Sequence, residues 1–407
     1  VNRRLFGTDG IRARFGEEPL TPATVRRIGL AVGELLLLST PNSDLRRVFV
    51  GGDTRASTPE LASWLLQGLA AAGTGMETVS LGVLPTPAIA WWTARERGAG
   101  GVAISASHNP AEDNGIKLID GAGFKWSAAA EAAVERRLAS VDDPGPRVVT
   151  PRVELEASSR YLRWLVGEGG GRRSLTGLKV AVDAANGAAA TLVGPLFRAL
   201  DAEVELLAAA PDGANINLGC GSTAPQALQE RIANGDFHLG FAFDGDADRC
   251  LLVDEKGELR DGDAMLYLWA RDLQRRGDLS PPRIVATAMS NLGLERALAA
   301  LGIDVERCGV GDREVVAALK RSGLRLGGEQ SGHLLDLHRT TTGDGLLTAI
   351  VLAAIVARAA RPVAQLLADF RRFPQVLVNV PVASKPALEG LDSVARVVRQ
   401  VEESLGR

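Results

Sequence analysis

The sequence predicts an α/β protein built from repeated units, each a largely parallel sheet flanked by helices. Three observations carry that expectation. Strand-like and helix-like segments alternate along most of the chain, the pattern of strands joined by crossover helices. A strand that runs at once into a polar turn recurs about once per hundred residues, which favours several small sheets over one large one. The 407 residues also exceed what a single core holds, so two to four domains are expected.

Taken in order, Thr21 with Pro22 predicts a helix start, the threonine as cap and the proline in the first turn. Arg47–Val50 reads as a strand entering Gly51-Gly52-Asp53. Thr58-Pro59 repeats the capping signal for a helix ending near Gly73. Gly101–Ile104 is a buried strand, and Pro144-Gly145-Pro146 marks a first boundary. Gly167–Gly171 reads as a flexible linker, because it lacks the preceding strand and the following Lys-Ser/Thr of a phosphate-binding loop. Leu178–Val182 leads into Asp183-Ala184-Ala185-Asn186-Gly187, and Leu239–Phe243 and Cys250–Val253 form a further strand pair. A second boundary falls at 254–262, after which Arg283–Ala286 runs towards Ser290-Asn291. Leu346–Ala357 is apolar over about a dozen positions, short of the roughly 20 that cross a bilayer, and so predicts a buried core helix. The last boundary lies at Arg361-Pro362. These breaks divide the chain into 1–150, 151–254, 255–365 and 366–407.

Composition narrows the function. A hydrophobic content of 46% supports substantial cores, and a net charge of −3 argues against nucleic acid, which selects a basic excess. Small molecules in a locally basic cleft are the expected partners. Cys220, Cys250 and Cys308 show neither metal spacing nor pairing, which suits buried thiols in a reducing cytoplasm. Val1–Arg14 carries four arginines and no apolar core, so no signal peptide and no membrane association are expected.

Two segments carry chemistry. Ser105-Ala106-Ser107-His108-Asn109-Pro110 follows the strand Gly101–Ile104 and precedes Asp113-Asn114-Gly115-Ile116-Lys117. The carboxyl end of a strand is where open α/β sheets bind ligands, and Asn109-Pro110 forces a turn. Ser107 is therefore a candidate nucleophile or phosphate carrier, with His108 beside it and Lys117 ten residues on. A strand-to-loop turn with capping hydroxyls is the competing reading. In the second segment, Asp244-Gly245-Asp246-Ala247-Asp248-Arg249, three carboxylates at alternate positions can converge on one hard cation. An EF-hand is a poor fit, since Arg249 stands at the sixth position where that loop needs glycine and the flanks are strand-like. A cation beside the Arg249 guanidinium suits a phosphoryl group in transit, and a phosphorylated Ser107 could supply a further oxygen.

With these stand Phe6-Gly7-Thr8-Asp9-Gly10-Ile11-Arg12, Gly309-Val310-Gly311-Asp312-Arg313, Gly327-Gly328-Glu329-Gln330-Ser331-Gly332-His333 and Thr341-Thr342-Gly343-Asp344-Gly345. Read in this order, the set resembles the α-D-phosphohexomutase superfamily, and within it the bacterial phosphoglucosamine mutase family, over nearly the whole chain. The resemblance implies three consecutive mixed α/β domains of related topology plus the start of a smaller fourth α+β domain. It implies an isomerase that interconverts glucosamine 6-phosphate and glucosamine 1-phosphate for cell-wall precursors, with a phosphomannomutase or phosphoglucomutase as the alternative. Ser107 would be the phosphoserine. One Mg²⁺ would be held by Ser107, Asp244, Asp246 and Asp248. Arg12 and Arg249 would stabilise the moving phosphoryl group, and Lys117 and His333 would do acid and base work. His108, Asn109, Asp312, Arg313, Glu329 and Ser331 would bind substrate. Glucosamine 1,6-bisphosphate would be intermediate and activator, and a homodimer is left open. The resemblance also implies a fourth-domain Arg-x-Ser-Gly-Thr-Glu-Pro loop gripping the non-reacting phosphate. The sequence reaches Glu403-Ser404-Leu405-Gly406-Arg407 without it, so only that domain's opening, from about Phe370, is expected. A chain without that loop is expected to turn over slowly, or only to bind phosphosugar.

Overall fold

Short apolar runs that are buried along their whole length set the architecture. Gly100–Ile104, Leu239–Phe243 and Cys250–Asp254 are buried at every position, as strands covered on both faces must be. The computed structural model describes residues 5–40, 46–73, 75–376, 378 and 390–404, in two compact units, 1–372 and 373–407.

Among the described residues the strands form three sheets. The first contains β1 (Ile11–Arg14), β2 (Arg47–Gly52), β3 (Glu77–Val83), β4 (Gly100–Ile104), β5 (Asp113–Asp120) and β6 (Arg152–Val153), in the order β1-β5-β4-β2-β3-β6. The second contains β7 (Lys179–Asp183), β8 (Glu203–Leu207), β9 (Leu239–Phe243), β10 (Cys250–Asp254) and β11 (Leu259–Arg260), in the order β11-β10-β9-β7-β8. The third contains β12 (Arg283–Thr287), β13 (Asp304–Cys308), β14 (Leu326–Gly328) and β15 (Leu334–Asp336), in the order β13-β12-β14-β15.

One four-strand unit recurs in all three. A first strand pairs parallel with a second and a third, and a fourth folds back antiparallel on the third. The sets are β2, β3, β4, β5; β7, β8, β9, β10; and β12, β13, β14, β15. The link between third and fourth strands falls on residues 105–112, 244–249 and 329–333. These are the segments that the sequence marks as chemical.

A contiguous apolar core joins the three sheets, running from Trp92 and Ile89 through Tyr161 and Phe241 to Tyr267 and Leu352. The helix Gly345–Ala359, expected as a core helix, is buried from Gly345 through Val356. It packs on the helices Ala157–Glu168 and Gly262–Arg275 and on β10. Among the described residues no helix is long and apolar enough to cross a membrane.

Several local expectations change. Thr21 occupies the cap position, but its hydroxyl bonds Glu18 Oε1 (2.8 Å) and caps nothing. Ser57 precedes the second helix, which ends at Ala71, while Thr58 lies inside it and donates to Asp53 Oδ1 (3.1 Å). Gly167 belongs to the helix Ala157–Glu168, so the linker expected over Gly167–Gly171 is shorter. The first sheet reaches Val153 and the second Arg260, because β6 pairs with β3 and β11 with β10. Phe370 packs on Tyr267 within the first unit, ring centroids 5.7 Å apart. In the second unit the helix Asp392–Ser404 is described, and much of the expected fourth-domain opening lies outside the described residues.

Asp344 caps the helix Gly345–Ala359 through Leu347 N–H (2.9 Å) and accepts the Tyr161 hydroxyl (2.6 Å), tying two core helices together. Burial pushes its carboxyl up to about 6, against the lowering effect of those hydrogen bonds. A raised acid favours the protonated fold, so its contribution is whole at low pH and is lost as pH climbs from about 4 to 6. An asparagine in its place would keep the cap without the charge. Asp344→Asn is therefore expected to gain on wild type by about 1–3 kcal/mol between pH 4 and pH 8, read from denaturant midpoints at the two pH values. An unchanged difference would show that Asp344 is not titrating in this way.

Candidate active site

The Ser107 loop is built to hold one serine still. Ser105 Oγ donates to Asp53 Oδ2 (2.5 Å) and accepts Ser107 N–H (2.9 Å), which commits that hydroxyl to the scaffold. Ser107 is fully buried at φ +54°, a left-handed conformation that costs a residue with a side chain energy to adopt. Its Oγ donates to Asp244 Oδ2 (2.6 Å) and lies 3.2 Å from His108 Nδ1. The carbonyls of Ser107 and Asn109 both accept from Arg55 (3.2 and 2.7 Å) and from Asn217 Nδ2 (2.9 and 3.0 Å). Arg55 is itself buried and ion-paired with Asp53. The Asn109 amide bonds Asp113 Oδ2 (2.9 Å), closing its own loop.

Opposite stands the acidic turn between β9 and β10. Asp244, Asp246 and Asp248 are buried, each offering a carboxylate oxygen within 4.8 Å of the others. Asp246 Oδ1 and Asp248 Oδ1 are buried with no hydrogen-bond partner. Burial and the charges of Asp248 and Asp246 push the Asp244 carboxyl up to about 8. Partnerless carboxylate oxygens converging at one point fit a hard, oxygen-seeking divalent cation. The turn is gripped from both sides. Thr86 gives its N–H to Asp246 O (3.1 Å) and its hydroxyl to Asp246 Oδ2 (2.5 Å), and Gly345 N–H bonds Ala247 O (2.9 Å).

Cations close the site. Lys117 sits on β5 opposite Ala103 of β4, and that register carries it to the acidic turn. Its Nζ lies 2.7 Å from Asp246, 3.0 Å from Asp9 and 3.7 Å from Asp248. Burial alone would release its proton, but Asp246 and Asp9 outweigh burial and raise its pKa, so Lys117 stays an ammonium. Lys125 reaches Asp9 (2.6 Å), pairs with Asp312 and lies 3.8 Å from Asp248. Arg12 pairs with Asp9, while Arg249 lies 3.9 Å from Asp248 and gives its N–H to Asp244 Oδ1 (3.2 Å). The Nε atoms of Arg12 and Arg249 are buried without a hydrogen-bond partner. Burial, then Arg249 and Arg12, lower the His108 pKa.

The third loop completes the wall. Glu329 Oε1 accepts Gly311 N–H (3.0 Å). His333 is buried, with Nε2 accepting Gly343 N–H (3.0 Å) and Nδ1 3.7 Å from Asp248 Oδ2. Only glycine fits at 343, since a Cβ there would stand 2.5 Å from the imidazole.

Ser107, His108, Arg12, Lys117, Asp244, Asp246, Asp248, Arg249 and His333 thus converge. Asp312 joins them through Lys125. Arg313 is turned to Glu131 (2.7 Å), and Ser331 is exposed on its turn. Sequence reasoning missed Asp9, Arg55, Thr86, Lys125 and Asn217. Asp9 stood inside a quoted motif, whereas Lys125 and Asn217 carry no local signal, since their partners lie far along the chain.

Models of phosphoglucomutase/phosphomannomutase α/β/α domains I, II and III match residues 3–144, 168–257 and 261–373. A phosphoglucomutase/phosphomannomutase family protein from Burkholderia thailandensis superposes with a TM-score of 0.78 at 29% identity, over 90% of this chain and 79% of its own. Fold and site together define a phosphohexomutase. Phosphoglucosamine mutases of Macrococcus caseolyticus and Bacillus subtilis are each 42% identical over 99% of this chain and 89% of theirs. That of Alkalilimnicola ehrlichii is 43% identical over 100% of this chain and 89% of its own. The chain belongs to the phosphoglucosamine mutase family.

A cation held by the folded triad and not by the unfolded chain must stabilise the fold. Mg²⁺ at a hundredfold excess over its Kd should add about 2–3 kcal/mol, read as an upward shift in Tm. The shift should vanish in Asp246→Asn/Asp248→Asn. A shift that survives in the double variant would place the ion elsewhere.

Proposed function

We propose that the chain interconverts glucosamine 6-phosphate and glucosamine 1-phosphate with Ser107 as phosphoryl carrier. The observation that carries this reading is the buried, left-handed Ser107, whose Oγ lies 2.6 Å from Asp244 within a triad holding partnerless carboxylate oxygens. Phosphorylated Ser107 gives its phosphoryl group to the free hydroxyl of the sugar phosphate. The Ser107 Oγ–P bond breaks as the sugar O–P bond forms, and the proton lost by the sugar hydroxyl is balanced by the one that Ser107 Oγ gains as it departs as a hydroxyl. The resulting glucosamine 1,6-bisphosphate turns over and returns its other phosphoryl group to Ser107. Free bisphosphate recharges a Ser107 that has lost its phosphate.

Asp244, Asp246 and Asp248, with a Ser107 phosphate oxygen, would hold one Mg²⁺, which neutralises charge on the transferring group. Arg12 and Arg249 each have a buried Nε–H without a hydrogen-bond acceptor, suited to phosphoryl oxygens. Lys117, kept protonated by Asp246 and Asp9, supplies fixed positive charge beside the acidic turn. Phosphoryl transfer has a loose transition state and asks for positioning and charge more than for a strong base. His333 fits that demand, since Gly343 N–H on Nε2 leaves the ring proton on Nδ1, towards Asp248. Glu329 and Ser331 would take sugar hydroxyls, and His108, Asn109, Asp312 and Arg313 would border the phosphosugar.

Purified protein should carry a fractional mass increment of about 80 Da, one phosphoryl group, which rises with glucosamine 1,6-bisphosphate. Ser107→Ala should lose the increment and mutase turnover together, whereas Ser105→Ala should still label. Labelling of Ser107→Ala to the wild-type extent would refute Ser107 as carrier. kcat/KM should also be higher for glucosamine phosphates than for glucose or mannose phosphates, and the reverse order would assign the chain to another branch.

A further inference from the structure

The loop that presents Ser107 is held from two domains at once, and this arrangement points to a positioning residue outside the reacting groups. The Ser107 and Asn109 carbonyls face one partly buried spot, where unbonded oxygens would be costly. Arg55 fills part of that demand from the first domain. The rest comes from Asn217, at the far end of a loop following β8, whose amide nitrogen bonds both carbonyls. Asn217 is itself left-handed, at φ +57°, a conformation that asparagine tolerates better than most residues. Its own N–H is fixed to Ala185 O (2.9 Å), which anchors it beyond β7.

Gly245 shows how closely this contact is built into the acidic turn. A Cβ at Gly245 would stand 2.6 Å from the Ser107 carbonyl oxygen and 2.9 Å from Asn217 Nδ2. The glycine between Asp244 and Asp246 thus makes room for the amide and the serine loop to meet. Asn217 and the metal-binding turn belong to one domain and Ser107 to another, so the amide sets the nucleophile against its acidic partner across the domain boundary.

We infer that Asn217 is a positioning residue for phosphoryl transfer, holding Ser107 in the left-handed geometry that turns its Oγ to Asp244. The inference rests on Ser107 being the phosphoryl carrier. Its consequence is kinetic. Loss of the amide should slow transfer to and from Ser107 far more than it weakens sugar binding, most of whose groups, Asp312, Arg313, Glu329 and Ser331, lie on other loops.

Two variants preserve the left-handed backbone. Asn217→Gly removes the amide, and Asn217→Asp replaces the donor with an acceptor facing two carbonyl oxygens. Loading of dephosphorylated protein by glucosamine 1,6-bisphosphate is followed by quenched intact mass, with Tm and steady-state kinetics measured alongside. Loading and kcat should fall at least tenfold in Asn217→Gly and further in Asn217→Asp, with KM within about twofold and the Mg²⁺-induced shift in Tm retained. Wild-type loading rates in both variants would overturn the inference while leaving the carrier reading intact. So would a loss of activity matched by loss of folded protein. Wild-type protein that loads elsewhere than Ser107 would overturn the carrier reading and this inference with it.

Discussion

A turn carrying three aspartates can be buried only if opposite charge is buried with it. Lys117 supplies that charge. Its ammonium contacts Asp246 and Asp9 and approaches Asp248, all in a region nearly closed to solvent. Charges removed from water are tolerated when paired and hydrogen-bonded, and are costly otherwise. The balance is incomplete without a cation, since Asp246 and Asp248 each keep a partnerless oxygen and Asp244 is pushed towards its neutral form. The protein therefore stores, at one point, an unmet demand for positive charge, and the catalytic reading rests on it.

The repeated sheet explains how so many groups reach that point. In each unit the third strand passes through a turn and returns as the antiparallel fourth, so each unit offers one turn of the same kind. The first unit presents Ser107, the second the aspartates and the third Glu329 and His333. The turns also hold one another. Thr86 and Gly345 bond the acidic turn from the first and third domains, and Cys250 N–H bonds Gly332 O (3.2 Å). Gly332, at φ +90°, lies where a Cβ would be 2.1 Å from the Cys250 carbonyl oxygen, so the third loop can seat only with glycine there.

What the sequence revealed followed the range of the interactions. The buried strands, the core helix Gly345–Ala359, the Ser107 turn and the aspartate turn were legible because each is written in a handful of consecutive residues. Lys117 was legible only as a lysine ten residues past Ser107, and it is the pairing of β5 with β4 that carries it to the acidic turn. Arg55, Asn217, Thr86 and Lys125 were not, because the groups they serve lie from about fifty to nearly two hundred residues away. Arg313 carries a partner that its motif did not announce, since Glu131, buried on a first-domain helix, pairs with its guanidinium. Thr21 failed locally, since Glu18 offered its hydroxyl a better acceptor than the helix end offered a donor.

The central claim is that Ser107 hands its phosphoryl group to the sugar across the acidic turn. It is tested most directly by loading Ser107 with radiolabelled phosphate and adding unlabelled glucosamine 6-phosphate with Mg²⁺ in a single turnover. The account predicts that label leaves the protein at the rate of turnover and appears in glucosamine 1,6-bisphosphate and then in glucosamine 1-phosphate. Label that stays on Ser107 while glucosamine 1-phosphate forms would contradict it.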